Sequence, residues 1–356
     1  MFAFVYVYMV KPLLFCVDAE KVHQACTDLG EWFGAHSLTR KLLKNIFQYR
    51  HPSLERTMCG IHFPNPIGLA AGFDYEAKLP AILPAVGFGF ATIGTVTLHP
   101  YKGNPSPQLG RFPKSRALLV NKGFKSVGAK AIIHKLEHRS FKIPIGISIG
   151  STNMMFPTRT AQIHDIVTTF QLFEKSQVQH AYYELNISCP NTAMGQPFTH
   201  PANLRRLLQS LQKENITKPV FLKMPIDLPQ EVTLALLREA DKSLISGVIF
   251  GNLTKDKKNP DLHPDDAVDW QQRHGNLSGK PTWARSNTWI RFTRKHFQKR
   301  FVIIGTGGIF SGQDAATKFA LGADLVQLIT GMVYEGPQLI GKINRYLVDS
   351  TFAHTS

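Results

Sequence analysis

The chain has 356 residues, of which 43% are hydrophobic and 19% charged, and its formal net charge is +16 at pH 7. This composition provides enough apolar side chains for a large core and excludes a disordered or fibrous protein. The positive charge implies attraction to anionic lipid, nucleic acid or a negatively charged small molecule. Because the basic residues lack the aromatic interleaving and finger spacing of a nucleic-acid module, binding to nucleic acid is not expected.

The cysteines limit the class of protein further. They are Cys16, Cys26, Cys59 and Cys189. They lie far apart and form no CxxC pair, which argues against a metal site and against a disulfide framework. A reducing compartment fits this usage best.

Residues 1–50 are predicted to form a short N-terminal helical extension. Residues 1–10 are apolar, but Lys11-Pro12 ends this run before it could span a bilayer, and no signal-peptide features are present. Residues 13–29 and 38–49 then predict two helices, the second with an apolar side and a basic side. The extension is interpreted either as a helical cap on the main domain or as a surface that lies on a membrane.

Residues 51–356 are predicted to form an α/β domain, a closed (β/α)8 TIM barrel. Short apolar runs typical of strands alternate with longer helix-like stretches, as successive βα units require. Eight such runs lie at residues 67–71, 91–96, 145–149, 183–187, 220–224, 247–251, 302–305 and 325–329. In this fold the chemistry lies in the loops that follow the strands, so functional residues are expected there.

Glycine-rich loops follow the last two runs. Gly305-Thr306-Gly307-Gly308-Ile309 follows the seventh run, and Thr330-Gly331 follows the eighth. Glycines let backbone N–H groups approach a phosphate closely, and a helix beginning near Ser311 would add its positive end. Tight turns also use glycine for steric reasons alone. Two such loops on the pair of strands that commonly binds phosphate in this fold favour a phosphate site.

The first and fifth runs suggest a planar, partly anionic ligand. Residues 68–74 have small side chains after the first run, which either lets a flat ring lie against the backbone or packs the barrel tightly. The hydroxyl of Thr95, at the end of the second run, could contact the edge of a ligand. Lys223 lies inside an apolar run, and a buried lysine needs an anionic partner such as the N1–C2=O edge of a flavin.

The loop after the fourth run carries the densest group of polar residues. Residues 186–192 read Asn-Ile-Ser-Cys-Pro-Asn-Thr, and Asn252 follows the sixth run. Amide side chains offer donors and acceptors to a planar polar substrate, and Cys189 could abstract a proton once its thiol is deprotonated. A free cysteine is ordinarily a small buried apolar residue. Its place at the end of a barrel strand favours the catalytic interpretation.

Seven segments of the chain resemble those of dihydroorotate dehydrogenases in order and in approximate spacing. They are GLAAGFD, IGTVT, NKGF, ELNISCPNT, LSG, IIGTGGI and LVQLITG, and they cover nearly everything from Gly60 to the end. The extension, with Phe15, Asp18, Glu20 and His23, resembles that of the quinone-using class, where it forms a hydrophobic tunnel at the membrane.

This resemblance implies an FMN-dependent oxidation of dihydroorotate to orotate in pyrimidine biosynthesis. A base would remove the C5 proton, FMN would accept hydride from C6, and ubiquinone or menaquinone would reoxidise the flavin. The protein would be a peripheral membrane protein, on the cytoplasmic face of the inner membrane if it is bacterial. By motif matching, Cys189 would be the base. The residues expected to bind FMN are Ala71, Gly72, Thr95, Ser148, Asn186, Lys223, Gly251, Gly279, Gly307, Gly308, Ile329, Thr330 and Gly331. The residues expected to bind the substrate are Tyr75, Asn121, Lys122, Gly123, Phe124, Asn186, Asn191, Asn252 and Leu253.

The sequence departs from the family pattern at several of these positions. Cys189 stands where the quinone class usually has Ser, whereas Cys is typical of the soluble class. A thiolate forms more easily than an alkoxide, so proton abstraction need not suffer. Tyr75 replaces the usual Lys, which leaves Lys122 or Lys78 as the cation near the substrate carboxylate. The remaining departures are Val120-Asn121-Lys122 in place of an Asn-Arg pair, Ser148 in place of Asn, and Ile329 in place of Tyr.

Two other functions follow from these departures. Cys189 is compatible with a soluble dehydrogenase of the same family that uses fumarate or NAD, although the N-terminal extension opposes this interpretation. The changes in the substrate loops would also suit a catalytically inert FMN-binding protein at the membrane.

Overall fold

A closed barrel of eight parallel strands forms the centre of the computed structural model, which describes residues 2–353. Around the barrel its strands follow the order β3, β4, β7, β8, β9, β10, β12 and β13, and β13 pairs with β3 to close it. The strands are β1 (Arg56–Met58), β2 (Ile61–Phe63), β3 (Ile67–Leu69), β4 (Phe90–Val96), β5 (Leu109–Phe112), β6 (Ala117–Val120), β7 (Ile145–Ile149), β8 (Tyr182–Asn186), β9 (Val220–Met224), β10 (Ile245–Phe250), β11 (Asn276–Gly279), β12 (Val302–Thr306) and β13 (Leu325–Leu328). The (β/α)8 prediction is confirmed, and each of the eight predicted runs is a barrel strand.

Helices surround the barrel and precede it. The helices are α1 (Phe2–Val5), α2 (Lys11–Cys16), α3 (Ala19–Ala35), α4 (Ser37–Phe47), α5 (Leu83–Val86), α6 (Ala129–Leu136), α7 (Arg159–Lys175), α8 (Pro201–Gln212), α9 (Gln230–Asp241), α10 (Pro264–Gln271), α11 (Trp283–Phe297), α12 (Gly312–Ala320), α13 (Thr330–Glu335) and α14 (Leu339–Ala353). A π-helical turn, Tyr6–Val10, joins α1 to α2, and short 3-10 turns lie at Pro52–Leu54, Pro197–Thr199 and Lys280–Thr282. Apolar residues of the outer helices, such as Phe170 and Leu207, pack with strand residues such as Ile147 and Leu185 in one buried cluster. That cluster fixes the strands and therefore the loops that follow them.

The N-terminal end of the barrel is closed by apolar side chains. The β1–β2 hairpin inserts Phe63 into a buried cluster with Phe90, Tyr182 and Phe221, one from each of three barrel strands. Since strand side chains alternate, residues two positions further along point into the barrel one layer higher. Lys223 on β9 lies two residues beyond Phe221, so the buried aromatic layer positions it toward the open end.

A second sheet, which the sequence did not predict, lies beside the open end. It is three-stranded and antiparallel, with the order β11, β6, β5. Leu118 and Val120 of β6 and Ser278 and Gly279 of β11 contribute to the wall of the cavity at this end. The site is therefore built from this sheet as well as from the barrel loops.

The N-terminal extension is helical, but two details of its prediction are wrong. The predicted helix over residues 13–29 is interrupted, because α2 ends at Cys16 and Asp18 caps a new helix by accepting hydrogen bonds from the N–H groups of Glu20 and Lys21, both at 3.0 Å. The other detail concerns where this segment begins, because α2 starts at Lys11 and not after Pro12; Pro12 occupies its first turn, where no N–H is needed. The second predicted helix is confirmed as α4. In the described part of the chain, no helix has both the length and the apolar character needed to cross a membrane.

Candidate active site

One cavity of about 570 Å³ extends from the N-terminal helices to the open end of the barrel. Its outer part is apolar and lies among side chains of α3 and α4, including Val22, Leu29, Phe33 and Leu43. We call this part the helical channel. Its inner part is polar and lies among the loops that follow the barrel strands, where the sequence predicted functional residues. A single cavity thus joins an apolar entrance to a polar interior.

Nearly all of the predicted site residues line this cavity. Those in its wall are Ala71, Gly72, Tyr75, Thr95, Lys122, Gly123, Phe124, Asn186, Cys189, Asn191, Lys223, Gly251, Asn252, Leu253, Gly279, Gly307, Gly308, Ile329, Thr330 and Gly331. They come from loops that are distant in the sequence, and the closed barrel brings them together. Two predicted residues, Ser148 and Asn121, do not line the wall.

Ser148 and Asn121 each contact a residue that lies closer to the cavity. The Ser148 hydroxyl lies 2.9 Å from the Thr95 hydroxyl, which accepts a hydrogen bond from the Asn186 side chain at 2.9 Å. Asn121 accepts a hydrogen bond at 2.9 Å from Asn104, whose amide also donates to the Asn191 carbonyl at 2.9 Å. Direct ligand contact by these two side chains is therefore not supported by the geometry. Ser148 contacts a wall residue, Thr95, whereas Asn121 reaches the wall only through Asn104.

The polar loops are held by hydrogen bonds between amide and hydroxyl groups. Asn252 donates to the Ser188 hydroxyl at 2.7 Å, and Ser188 donates to Asn186 at 3.0 Å. Asn191 donates to the Val120 carbonyl at 2.9 Å and accepts from Asn276 at 2.6 Å. These bonds join the loops after β8 and β10 to the β5–β6–β11 sheet. Side chains fixed in this way can bind a ligand without first losing rotamer freedom.

Cys189 lies at the polar end of the cavity, in surroundings that keep its thiol protonated. Burial raises the pKa of the thiol to about 11, while the backbone N–H of Asn191, the Lys223 ammonium and the backbone N–H of Phe124 oppose this rise. Each of these three groups stabilises the thiolate. The site therefore contains a weakly acidic thiol together with the donors that would stabilise its conjugate base.

Lys223 is a buried cation next to Cys189. Its side chain is 3% exposed and makes no hydrogen bond or ion pair with the described residues. Burial lowers its pKa, and the charge of Glu184, which is completely buried, partly offsets this effect. One oxygen of Glu184 accepts hydrogen bonds from Thr92 at 2.5 Å and Gln327 at 2.7 Å, and the other has no partner among the described residues. A ligand with a negatively polarised edge would satisfy the ammonium.

The glycine-rich loop after β12 lines the cavity and requires glycine at two positions. Gly307 and Gly308 have φ values of +96° and +70°, a region in which side chains other than glycine are strained. A Cβ on Gly307 would lie 2.3 Å from the Thr282 hydroxyl. The hydroxyls of Ser278 and Thr330, 2.8 Å apart, lie in the same part of the wall. The buried Thr306 hydroxyl has no hydrogen-bond partner in the described chain, so this loop retains an unused polar group.

The predicted helix after this loop is present, and its N-terminus is capped by the chain's own side chains. It begins at Gly312 with Ser311 as its N-cap, close to the predicted position. However, the Ser311 hydroxyl accepts the N–H of Asp314 at 3.1 Å, and the Asp314 carboxylate accepts the N–H of Phe310 at 2.9 Å. The chain's own side chains therefore occupy the positive end of α12. Of the groups predicted to bind phosphate, the glycine loop and Thr330 line the cavity, and Ser278 lies in the same wall.

Three residues of the cavity wall were not among the predicted site residues. Ser278 and Thr306 lie in the cavity wall, and their polar atoms were visible in the LSG and GTGG segments. His23, from α3, lines the wall near Tyr75, and its ring stacks on the Tyr75 ring with a centroid distance of 5.6 Å. Nothing local in the sequence indicates this contact, because α3 and the loop after β3 meet only in the folded chain.

Comparison with known proteins agrees with this geometry. A family model described as dihydroorotate dehydrogenase matches residues 53–350. A curated relative from Christiangramia forsetii, named dihydroorotate dehydrogenase (quinone), is 36% identical over 349 residues and aligns with 97% of this chain and 99% of its own length. A relative of the same name from Synechococcus sp. is 37% identical over 352 residues, which are 95% of this chain and 91% of the relative.

Solved structures are also similar to this chain over most of its length. A ligand-free DHODH from Eimeria tenella superposes with a TM-score of 0.78 at 25% identity, covering 92% of this chain and 94% of that one. Its complex with ferulenol has a TM-score of 0.77 at 23% identity, covering 93% and 92%, and at this identity it supports the fold alone. The family match covers most of the chain, and the relatives are similar over almost all of it. The chain therefore belongs to the dihydroorotate dehydrogenase family.

Proposed function

We propose that this protein oxidises dihydroorotate to orotate in pyrimidine biosynthesis and passes the electrons to a membrane quinone, either ubiquinone or menaquinone. The observation that carries this proposal is the single cavity whose polar end holds Cys189 and whose other end is the helical channel. A polar, planar substrate suits the first end, and an apolar electron acceptor suits the second. The names of the relatives, dihydroorotate dehydrogenase (quinone), support the same pair of substrates.

We propose FMN as the cofactor, held at the polar end of the cavity. When bound, FMN would accept electrons from the C6 position of dihydroorotate and later pass them to the quinone. Lys223 would pair with the electron-rich pyrimidine edge of the ring system, since it has no partner in the described part of the chain. Gly307, Gly308 and Thr330 would hold the phosphate through backbone and hydroxyl groups. Of the residues expected at this site, Ser148 would act indirectly, by positioning Thr95.

Cys189 would act as the base that removes the C5 proton of the substrate. With a pKa of about 11, only about one thiol in a thousand is ionised at pH 8. The N–H groups of Asn191 and Phe124 would stabilise the thiolate as the proton leaves. Asn191 and Asn252, fixed by their hydrogen bonds, would orient the substrate ring over the thiol.

We propose that residues 1–50 form a membrane-associated extension to an FMN-binding barrel of residues 51–356. The extension exposes large apolar side chains, which are Phe4, Tyr8, Met9, Leu13, Trp32, Leu38 and Leu42. Exposed lysines, Lys41 and Lys44, lie on α4 beside them and would attract anionic lipid headgroups. The helical channel would then open toward the membrane, where a quinone is dissolved. The protein would be a peripheral membrane protein, at the cytoplasmic face of the inner membrane if it is bacterial.

Two rival functions are less well supported. A soluble enzyme of this family, using fumarate or NAD, would share Cys189 but would have no use for an apolar channel. An inert FMN-binding protein would not need a thiol beside a buried lysine and two backbone donors.

A comparison of electron acceptors separates these functions. Purified protein supplied with dihydroorotate should reduce a short-chain quinone many times faster than it reduces fumarate or NAD. Faster turnover with fumarate or NAD would support the soluble enzyme. If no turnover is seen with any of the three acceptors, nor with an artificial dye, the inert protein is supported.

A further inference from the structure

Lys122 lies at the polar end of the cavity without an acidic partner. Its side chain lines the main cavity and also a second cavity of about 230 Å³, which lies between α3 and the loops after β3 and β6. Its ammonium lies 4.4 Å from the centroid of the Tyr75 ring, over the ring face. Within the described residues, the ammonium makes no hydrogen bond and no ion pair. A cation–π contact alone offsets only part of the cost of removing a lysine from water.

The charges around Lys122 make it a site for an anion. Burial and, to a smaller extent, the nearby Lys125 ammonium lower its pKa to about 7, although Glu20 on α3 and Glu76 oppose this shift. Lys21 lies in the wall of the second cavity with Lys122 and Lys125. A negatively charged group at the cavity wall would pair with the Lys122 ammonium and raise its pKa again.

The alternative cation, Lys78, is already paired. Its ammonium lies 2.7 Å from a carboxylate oxygen of Asp28 and 2.5 Å from one of Glu76, and its side chain is not part of the cavity wall. Arg111, another cation in the wall, donates a hydrogen bond at 2.7 Å to the Val17 carbonyl. Unlike Lys78 and Arg111, Lys122 lies in the wall and has no acceptor among the described residues. Lys125 and Lys223 share this property, but Lys125 lies farther from the Tyr75 ring, at 5.5 Å, and Lys223 lies next to Cys189.

Tyr75 holds Lys122 in place, and α3 holds Tyr75. The His23 ring stacks on the Tyr75 ring at an interplanar angle of 15°, and His23 Nε2 lies 2.8 Å from the Phe73 carbonyl. Burial lowers the pKa of His23 to about 3, so the ring is neutral and Nε2–H donates to that carbonyl. Tyr75 is itself 5% exposed. The ring beneath Lys122 is therefore fixed on both sides.

We propose that Lys122 binds the carboxylate of the substrate and that Tyr75 is the positioning residue that keeps the ammonium at the cavity wall. This inference rests on the proposed function, because the proposed substrate and product, dihydroorotate and orotate, each carry one ionised carboxylate at neutral pH. The asparagines of the site would bind the ring, and Lys122 would distinguish a carboxylated ring from an uncharged one. Lys125, which also lines the main cavity, and Lys21, which lines the second one, would add to the attraction for the anion.

The test compares two ligands that differ in the carboxylate. The flavin-loaded protein is titrated by calorimetry with orotate and with uracil, which lacks the carboxylate. Lys122→Gln should weaken orotate binding by about 10- to 100-fold, the scale for losing a hydrogen bond to a charged group, and leave uracil binding unchanged. Lys122→Arg should restore part of the orotate affinity. Tyr75→Leu should weaken orotate binding less than Lys122→Gln does, and Lys78→Gln, the matched control, should not change it.

The pH dependence gives a second readout that a purely structural role would not produce. The groups that face Lys122 are Glu20, Lys21 and His23 on α3, Tyr75 and Glu76 after β3, and Lys125 on its own loop. Above about pH 7 the Lys122 ammonium of the ligand-free protein loses its proton. The affinity for orotate should therefore fall by up to about tenfold per pH unit, and orotate binding should be accompanied by the uptake of a proton. Lys122→Gln should abolish this dependence.

The outcomes separate this inference from the proposed function. Wild-type protein that binds orotate, together with a Lys122→Gln variant that binds it as tightly, would overturn the inference alone. Equal loss of orotate and uracil binding in Lys122→Gln would also overturn it, since the effect would then not depend on the carboxylate. Wild-type protein that is not reduced by dihydroorotate and binds neither ligand would overturn the proposed function and, with it, this inference.

Discussion

At the scale of single residues, the chemistry of this site depends on how protein groups act on a half-buried cysteine and a buried lysine. Cys189 is kept as a thiol by burial, while two backbone N–H groups and Lys223 stabilise its thiolate. Lys223 is kept in the barrel interior, where Glu184 supports its charge. The two residues come from neighbouring strands, β8 and β9, so the thiol, the cation and the ligand they would share lie at one end of the barrel.

Replacement of Cys189 tests its role as the base. Cys189→Ala should slow reduction of the flavin by dihydroorotate by about a hundredfold or more, the usual scale for losing a positioned base. Cys189→Ser should retain more activity, because a hydroxyl can still accept the proton through the same backbone donors. Anaerobic stopped-flow absorbance measures both rates. Near-normal reduction in the alanine variant would mean that another group removes the proton.

The pKa of Cys189 predicts how the rate depends on pH. If the thiolate is the base, its fraction rises about tenfold per pH unit until the pKa of about 11 is approached. Flavin reduction at saturating dihydroorotate should therefore accelerate between pH 7 and about pH 10 with this slope. The same stopped-flow assay in a series of buffers checks it, and a rate independent of pH would contradict the assignment.

Individual site residues were predictable where they follow a strand and were not predictable where they act through a neighbour. Cys189, Asn191 and Lys223 were identified because strand ends converge at one end of the barrel. The indirect positions of Ser148 and Asn121 depend on side-chain contacts across different strands. The stacking of His23 on Tyr75 joins residues that are remote in sequence, and no local pattern encodes it.

At the scale of elements, the helices α3 and α4 turn a barrel with an open end into a barrel with a channel. α3 also reaches the substrate end, where the Glu20 carboxylate accepts the N–H of Gln108 at 2.5 Å. The extension thus contributes both to the proposed oxidation of dihydroorotate and to the proposed reduction of the quinone. Deleting it would alter both half-reactions at once, so their effects could not be separated. Point substitutions inside the channel give a cleaner test.

Narrowing the helical channel should affect the quinone and spare dihydroorotate. Leu43 on α4 lines the channel, whereas its neighbour Leu42 is 59% exposed and does not. Leu43→Trp should raise the KM for a quinone by about tenfold or more, because added bulk displaces the ligand from a packed apolar site. Flavin reduction by dihydroorotate should stay near the wild-type rate.

Leu42→Trp is the control for this substitution. It adds the same side chain on the same helix but outside the cavity, and it should leave both half-reactions unchanged. Steady-state assays with several quinone concentrations measure the effect. If Leu43→Trp slows both half-reactions equally, the channel is not a separate quinone route.

The exposed apolar side chains of the extension predict binding to membranes. Leu13 and Leu38 are 72% and 77% exposed. Burying one leucine in lipid contributes roughly 1.5–3 kcal/mol, so Leu13→Glu with Leu38→Glu should weaken binding to anionic vesicles more than about tenfold. Vesicle co-sedimentation checks this. Val268→Glu, at a position 58% exposed on α10, is the matched control and should bind like wild type.

The barrel strands were more predictable than the other elements. Each barrel strand is buried on both faces, so it appears in the sequence as a continuous apolar run. The β5–β6–β11 sheet has strands of four residues, and β11 pairs with a strand more than 150 residues earlier in the chain. Its pairing is decided by the fold rather than by local pattern. The break before α3 was missed although Asp18 is a good N-cap residue, because the apolar spacing continues across it.

At the scale of the whole molecule, the barrel and the extension enclose one cavity with two chemically different ends. The polar end is fixed by hydrogen-bonded asparagines and buried charges, and the apolar end is formed by helices with exposed apolar surfaces. This division suits a reaction in two halves, in which a polar donor and an apolar acceptor react in turn with one cofactor. The family to which the chain belongs is consistent with that division.

The most direct test of this account is an anaerobic flavin absorbance scan. Purified protein is freed of oxygen, mixed with dihydroorotate, and then given a short-chain quinone. The visible absorbance of the oxidised flavin should be lost on mixing with dihydroorotate and restored by the quinone. A flavin-loaded protein whose absorbance is unchanged by dihydroorotate would contradict this account.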